Sequence, residues 1–274
     1  MRYVILFLIC LPGLAWSQDR RPSHCIALAE ETPGIEYLHK ASWRAPLEEY
    51  SVRINYIAHA MFLIQTEGGL SAATDYTGFL GTADFVPDVV TMNHAHESHW
   101  TAMPDPRVPH VLKGWGTPDT PADHHLDLGE MLVRNVPTDI RSRYDLGVEE
   151  DGNSIFVFEV AGLCIGHLGH LHHEPDTAQY AALGRLDVVM AAIDGGMTVD
   201  LPTMMRILTR LKSSIVLPMH WFGDYTLEAF LAGMSSEFDV EYVGGSSLEV
   251  SLRTLPKRPT IKVLRPSYLR AEPQ

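Results

Sequence analysis

The residues with the most chemical potential are the histidines of Asn93-His94-Ala95-His96-Glu97-Ser98-His99. They follow the run Asp88-Val89-Val90, which reads as a buried strand ending in a turn. His94 and His96 share one face of an extended chain and can converge on one point, and the chain must turn after His96 for His99 to join them. Neutral imidazole is the commonest protein ligand for a borderline cation such as zinc. A lone histidine is more often a satisfied core residue, but three at this spacing behind a β-branched run point to metal binding. Two other stretches carry histidines at strand ends, Gly166-His167-Leu168-Gly169-His170-Leu171-His172-His173 and Leu217-Pro218-Met219-His220. Each is weak alone. Together with the first they put ligand-type residues at three strand ends, which is how one metal site is assembled from distant sequence.

The elements that must position these residues fall into two halves. Strands are expected over residues 50–57, 60–66 and 70–74, with Glu67-Gly68-Gly69 as a hairpin signal between the second and third. The third runs into Asp75, a polar strand-end residue at the rim where sites form. Residues 108–115 and 126–136 read as further strands, joined by a loop in which His124 and His125 lie at the surface. Residues 141–152 are polar and read as an exposed flap before a strand pair, 154–160 and 163–167. The second half alternates. A helix over 177–183, a strand over 187–193 and a helix over 201–211 capped by Asp200 come first. A strand over 214–217, a helix over 226–234 and strands over 240–243 and 247–252 follow. The pattern predicts α/β layers, with two mixed sheets facing each other and helices outside. The domain is expected over residues 47–254, after an extension at 18–46 and before a partly ordered tail at 255–274.

The chain has 274 residues, 46% of them apolar, enough to bury a full core. Its net charge of −13 argues against nucleic acid as a partner, because phosphate contacts need a basic face. A small-molecule substrate is expected instead. Met1-Arg2, the apolar run from Tyr3 to Leu14 and Ala15-Trp16-Ser17 before Gln18 read as a secretory signal peptide over residues 1–17, cut after Ser17. The run falls short of the roughly 20 residues of a membrane span, so export to the periplasm or medium is expected, with an uncleaved anchor as the alternative. Cleavage leaves Cys25 and Cys164, which an oxidising compartment would allow to pair. The apolar setting of Cys164 favours a buried, inert thiol.

Read in order, the motifs resemble a known family. Ile57-Ala58-His59-Ala60-Met61-Phe62-Leu63-Ile64, Thr74-Asp75, His94-x-His96-x-Ser98-His99, the stretch from His167 to His173 and Val216-Leu217-Pro218-Met219-His220 are similar to the metallo-β-lactamase superfamily. Within it they look like the branch of ascorbate-6-phosphate lactonase and related zinc-dependent hydrolases. The resemblance covers residues 52–252 and implies a four-layer αββα sandwich with one or two metals and a metal-bound hydroxide as nucleophile. Carried over, His94 and His96 would hold one metal, His99 and His220 a second, and residue 170 would bridge them.

The departures are as informative. Ser98 stands where the motif has aspartate, and His170 where it has the bridging aspartate. Residues 136–141 lack the family's further histidine, and Asp139 is the candidate replacement, unless it is a loop or capping residue. Losing carboxylates leaves two dications less shielded from each other, and a neutral imidazole bridges poorly. One metal is therefore expected rather than two, held by His99, His170 and His220 or by His94, His96 and His170. Zinc suits such ligands, with manganese the harder alternative. Asp75 either orients a ligand histidine or is a turn residue, and His59 either lines the pocket or packs at a strand end. The expected function is a metal-dependent hydrolase of an ester, lactone, amide or phosphodiester. The alternative is a degenerate member that binds a metal or ligand without turnover.

Overall fold

The computed structural model describes residues 23–27, 43–93, 96–117, 119–142 and 147–271. The signal segment, most of the N-terminal extension and His94 lie outside the described residues.

The chain runs through α1 (His24–Ala27), β1 (Val52–Ala58), β2 (Met61–Gln65), β3 (Ser71–Ala73), β4 (Val89–Met92), β5 (His110–Lys113), β6 (His125–Asp127), β7 (Met131–Arg141), β8 (Val148–Val160) and β9 (Leu163–His167). It continues through α2 (Thr177–Leu183), β10 (Val188–Ala192), α3 (Leu201–Leu211), β11 (Ile215–Met219), α4 (Asp224–Met234), β12 (Asp239–Tyr242), β13 (Ser247–Val250) and β14 (Thr260–Val263). A six-stranded sheet has the order β13-β1-β2-β3-β4-β5 and an eight-stranded sheet the order β12-β14-β11-β10-β9-β8-β7-β6.

Period-two alternation sorts the first sheet into two faces. Val52, Ile54 and Tyr56 of β1 and Phe62 and Ile64 of β2 meet Phe156, Phe158, Met190 and Leu217 of the other sheet. Ile57, Met61, Leu63, Val90 and Met92 face outward under Tyr76, Leu80, Val108 and Leu269. Among the described residues loops, not helices, cover that outer face. The second sheet buries its outer face under α2, α3 and α4 through Leu183, Met204, Ile207, Leu208, Leu227 and Phe230. Its central strands are covered on both sides, so β10 is apolar throughout. Asp200 caps α3 by accepting the N–H of Thr203 at 2.8 Å. The two mixed sheets facing each other are the sandwich expected from the sequence, with helices, among the described residues, outside the second sheet.

Several local expectations change. The strand read over 126–136 is two strands, because Gly129 takes a positive φ of 82° and turns the chain between β6 and β7. Of the flap read at 141–152, Arg141 belongs to β7 and residues 148–152 to β8, with Arg141 opposite Val148. The tail is not peripheral. β14 pairs in parallel with both β11 and β12, and Lys262 is buried with its ammonium 2.7 Å from Glu241. Cys164 is not a free thiol. It is bonded to Cys25, with Cα atoms 5.8 Å apart. α1 is thereby fixed to β9, an approach across 139 positions that spacing alone does not reveal.

Beside that disulfide, Glu159 of β8 is buried and accepts from Arg134 Nε at 2.8 Å, from the His24 N–H and from the Ser23 hydroxyl. Burial pushes its carboxyl up, but Arg134, Ser23 and His24 outweigh that and hold it below the ordinary glutamate range. A depressed folded-state value gives stability that is present above the unfolded value and lost as pH falls through the folded one. Stability from urea midpoints is therefore expected to fall on acidification below about pH 4. Glu159→Gln should flatten that dependence and cost about 3 kcal/mol at neutral pH, by leaving the Arg134 charge buried without its partner. An unchanged pH slope in the variant would remove Glu159 from this role. Cys164→Ser is expected to lower stability by about 2–4 kcal/mol through the long loop that the bond closes, a shift readable in the thermal midpoint.

Candidate metal centre

β1, β3 and β4 run in one direction in the first sheet, and β9, β10 and β11 are parallel in the second. Their carboxyl ends open at the same edge of the sandwich, where the next residues leave as loops. His59 follows β1, Asp75 follows β3, His96 and His99 follow β4, His170 follows β9, Asp194 follows β10 and His220 follows β11. Imidazole centroids lie 3.9 Å apart for His59 and His220, 4.6 Å for His96 and His99, 4.8 Å for His99 and His170, and 5.2 Å for His170 and His220.

The outer nitrogens of two of these rings are held by carboxylates. His99 Nδ1 lies 2.6 Å from Asp75 Oδ2, and Asn93 donates to the other oxygen of Asp75 at 2.8 Å. Burial raises the Asp75 carboxyl to about 6 against the pull of nearby histidines and Asn93, so it is ionised at neutral pH and accepts the His99 proton. His220 Nδ1 lies 3.1 Å from Asp194 Oδ2. Burial would raise Asp194 too, but His220, the Thr198 hydroxyl and the N–H groups of Thr198 and Gly196 hold it well below the carboxylate range. Asp194 can only accept, which favours the proton of a neutral His220 on Nδ1, although that nitrogen makes no well-aligned hydrogen bond. In that tautomer both Nε2 atoms, 3.1 Å apart, present lone pairs inward.

Two facing lone pairs repel unless a cation or proton lies between them. A proton is disfavoured at His99, whose burial and histidine neighbours hold it far below the ordinary value. Two imidazoles on one tetrahedral zinc, with bonds of about 2.0–2.1 Å, have nitrogens about 3.4 Å apart. One ligand-type atom from each of His59, His96, His99 and His220 falls within 4.8 Å of the others. His59 Nε2 is buried without a hydrogen-bond partner, and burial beside three histidines pulls that ring down to about 3. The donor set fits a zinc-like cation.

Residues 53–220 match the β-lactamase superfamily domain. The chain belongs to this superfamily. A Thermotoga maritima protein classed as a zinc-dependent hydrolase of the metallo-β-lactamase superfamily is similar in structure over 78% of this chain and 98% of that one, at 23% identity and a TM-score of 0.55. Igni18, a metallo hydrolase from Ignicoccus hospitalis, is similar over 79% and 96%, at 18% identity and a TM-score of 0.53. No curated protein matches in sequence.

Within this superfamily member, the residues singled out in the sequence separate by position. His59, His96, His99, His170 and His220 come together, and Asp75 backs His99. Asp139 does not join them. It sits at a bulge in β7, where its carboxylate accepts the Asp151 N–H at 3.0 Å. Ser98 Oγ lies 2.6 Å from His96 Nδ1, and a hydroxyl can serve that ring as donor or acceptor. His167 donates from Nε2 to the Ala60 carbonyl, since its Nδ1 accepts the Gly169 N–H, and so ties the two sheets together. Asp194 was not anticipated, although a polar residue at the end of an apolar strand is the signal that pointed to Asp75.

The backbone here is constrained as tightly as the rings. His59, Asp75 and His220 have positive φ of 49°, 43° and 61°, each costing about 1–2 kcal/mol that the surroundings must offset. The His220 N–H and the Tyr56 hydroxyl both donate to the His59 carbonyl, at 3.0 and 2.7 Å. Gly169, with φ of 62°, leaves no room for a Cβ, which would lie 2.6 Å from Asn93 Nδ2 and 2.9 Å from the Ser154 carbonyl. Gly169→Ala is expected to destabilise by about 1–3 kcal/mol in thermal melts. A neutral result would mean that the turn before His170 is looser than this geometry.

Proposed function

We propose that this superfamily member is a hydrolase dependent on one zinc ion, acting on a small-molecule ester, lactone, amide or phosphodiester. The observation that carries the reading is the pair of Nε2 atoms of His99 and His220, 3.1 Å apart and turned inward, with a carboxylate near each outer nitrogen. Carboxylate-backed histidines are the usual way of fixing a ligand's tautomer and raising its basicity. His59, His99 and His220 would hold the ion, with His96, whose Nε2 faces His170, beside them. When bound, zinc acidifies a water and polarises the oxygen of the bond to be broken. Asp75 would hold His99 in its ligating tautomer, and Asp194 would favour the same tautomer in His220 by its charge. Phe222, whose ring lies 5.4 Å from His220 and is largely exposed, forms an apolar rim for the non-reacting part of a substrate. The motifs around His59, Asp75 and His220 favour the lactonase-like branch. Export is part of the same reading, supported by the signal-like start and by the disulfide, which suits an oxidising compartment.

Purified protein is expected to take up one equivalent of zinc. His99→Ala and His220→Ala should each abolish tight uptake, and Asp194→Asn should weaken it about 10- to 100-fold. Turnover on a panel of lactones, esters, β-lactams and phosphodiesters should vanish in His220→Ala. Uptake unaffected by both histidine changes would rule out this centre. One equivalent of zinc with no turnover on any of these substrates would favour a binding protein.

A further inference from the structure

His170 differs from His99 and His220 in what holds its outer nitrogen. Its Nδ1 lies 2.8 Å from Nε2 of His172, and Nδ1 of His172 accepts the backbone N–H of Arg141 in β7. A peptide N–H can only donate, so a neutral His172 carries its proton on Nε2 and gives that hydrogen bond to His170. A neutral His170 then keeps its own proton on Nε2. That atom is the one turned inward, 3.2 Å from His96 Nε2. The His170 backbone is fixed as well, because its N–H donates to Asn153 Oδ1 at 3.2 Å and Asn153 in turn donates to Thr138.

The geometry points to His170 as a hydrogen-bond donor into the metal centre rather than a ligand, with His172 as the positioning residue that sets its tautomer. The centre is then polarised across its width. Lone pairs converge from His99 and His220, and an N–H enters from the opposite arm. A cation belongs on the first side. On the second belongs an oxygen bearing negative charge, such as the carbonyl, carboxylate or phosphoryl oxygen of the substrate proposed above, so this inference rests on that reading. An ionised aspartate at position 170 could only accept. Histidine there exchanges an anionic ligand for a donor, and the backbone N–H of Arg141 enforces the exchange two rings away.

The test is the protonation state of each ring nitrogen, read by long-range 1H–15N correlation on uniformly labelled protein with and without zinc, with His170→Ala assigning the signals. His170 should show a protonated Nε2 and an unprotonated Nδ1 in both states. Zinc affinity of His170→Ala should stay within about threefold of wild type, set against the losses expected for His99→Ala. His172→Phe should retain zinc and shift His170 towards the Nδ1-protonated form, and His172→Gln, which keeps a donor, should restore the original tautomer. An unprotonated Nε2 on His170 in the zinc-loaded protein, or loss of zinc from His170→Ala, would overturn the inference. If no variant or wild type binds zinc, the metal reading fails on its own, while the zinc-free spectrum still decides whether His170 donates.

Discussion

Two imidazole Nε2 atoms held face to face, from His99 and His220, are the constraint to which the rest of this structure answers. Such an arrangement is unfavourable in isolation, and the protein builds it from outside inwards. Buried Asp75 is held by Asn93, whose own carbonyl accepts the Ser154 N–H from the facing sheet. Asp194 is wrapped by the N–H groups of its own loop. Asp75 thereby fixes the direction in which His99 can offer electrons, and Asp194 places negative charge behind His220.

Holding that geometry uses stability drawn from elsewhere. Three of the residues around the centre have left-handed backbone, and several buried imidazoles sit side by side without full hydrogen bonding. The compensating burial lies in the core between the sheets and in the one beneath the helices. A division between rigid sheets and a polar, strained edge is the expected layout for a site that must be in place before a ligand arrives.

Much of this was legible in the sequence because it rests on local rules. α2 and α3 have the ends expected from their caps and apolar faces, and the histidines that gather are those at strand ends. What escaped was non-local. Cys25 and Cys164 are adjacent only because α1 lies against β9, and β14 joins the sheet through pairing with β11 and β12, with Glu241 neutralising Lys262. From sequence Asp139 is open between a ligand and a loop or capping residue, and its carboxylate accepts the Asp151 N–H at the β7 bulge, a long-range pairing that spacing does not reveal. The sequence also does not encode the different backing of the rings. His170 and His220 look alike in one dimension, and only the partners of their outer nitrogens tell them apart.

The place of β14 has a consequence for how the chain reaches this state. In the eight-stranded sheet it lies between β11 and β12, although it follows both in sequence. β11 carries His220 at its end, so the strand that presents a central histidine has an unpaired edge until residues 260–263 are in position. Local contacts cannot close that gap, and the sheet gains its last parallel pairings only through long-range search. During that interval the open edge is a template for another chain's strand. Completion of the metal centre's scaffold is thus tied to the arrival of a distant segment that touches none of its histidines.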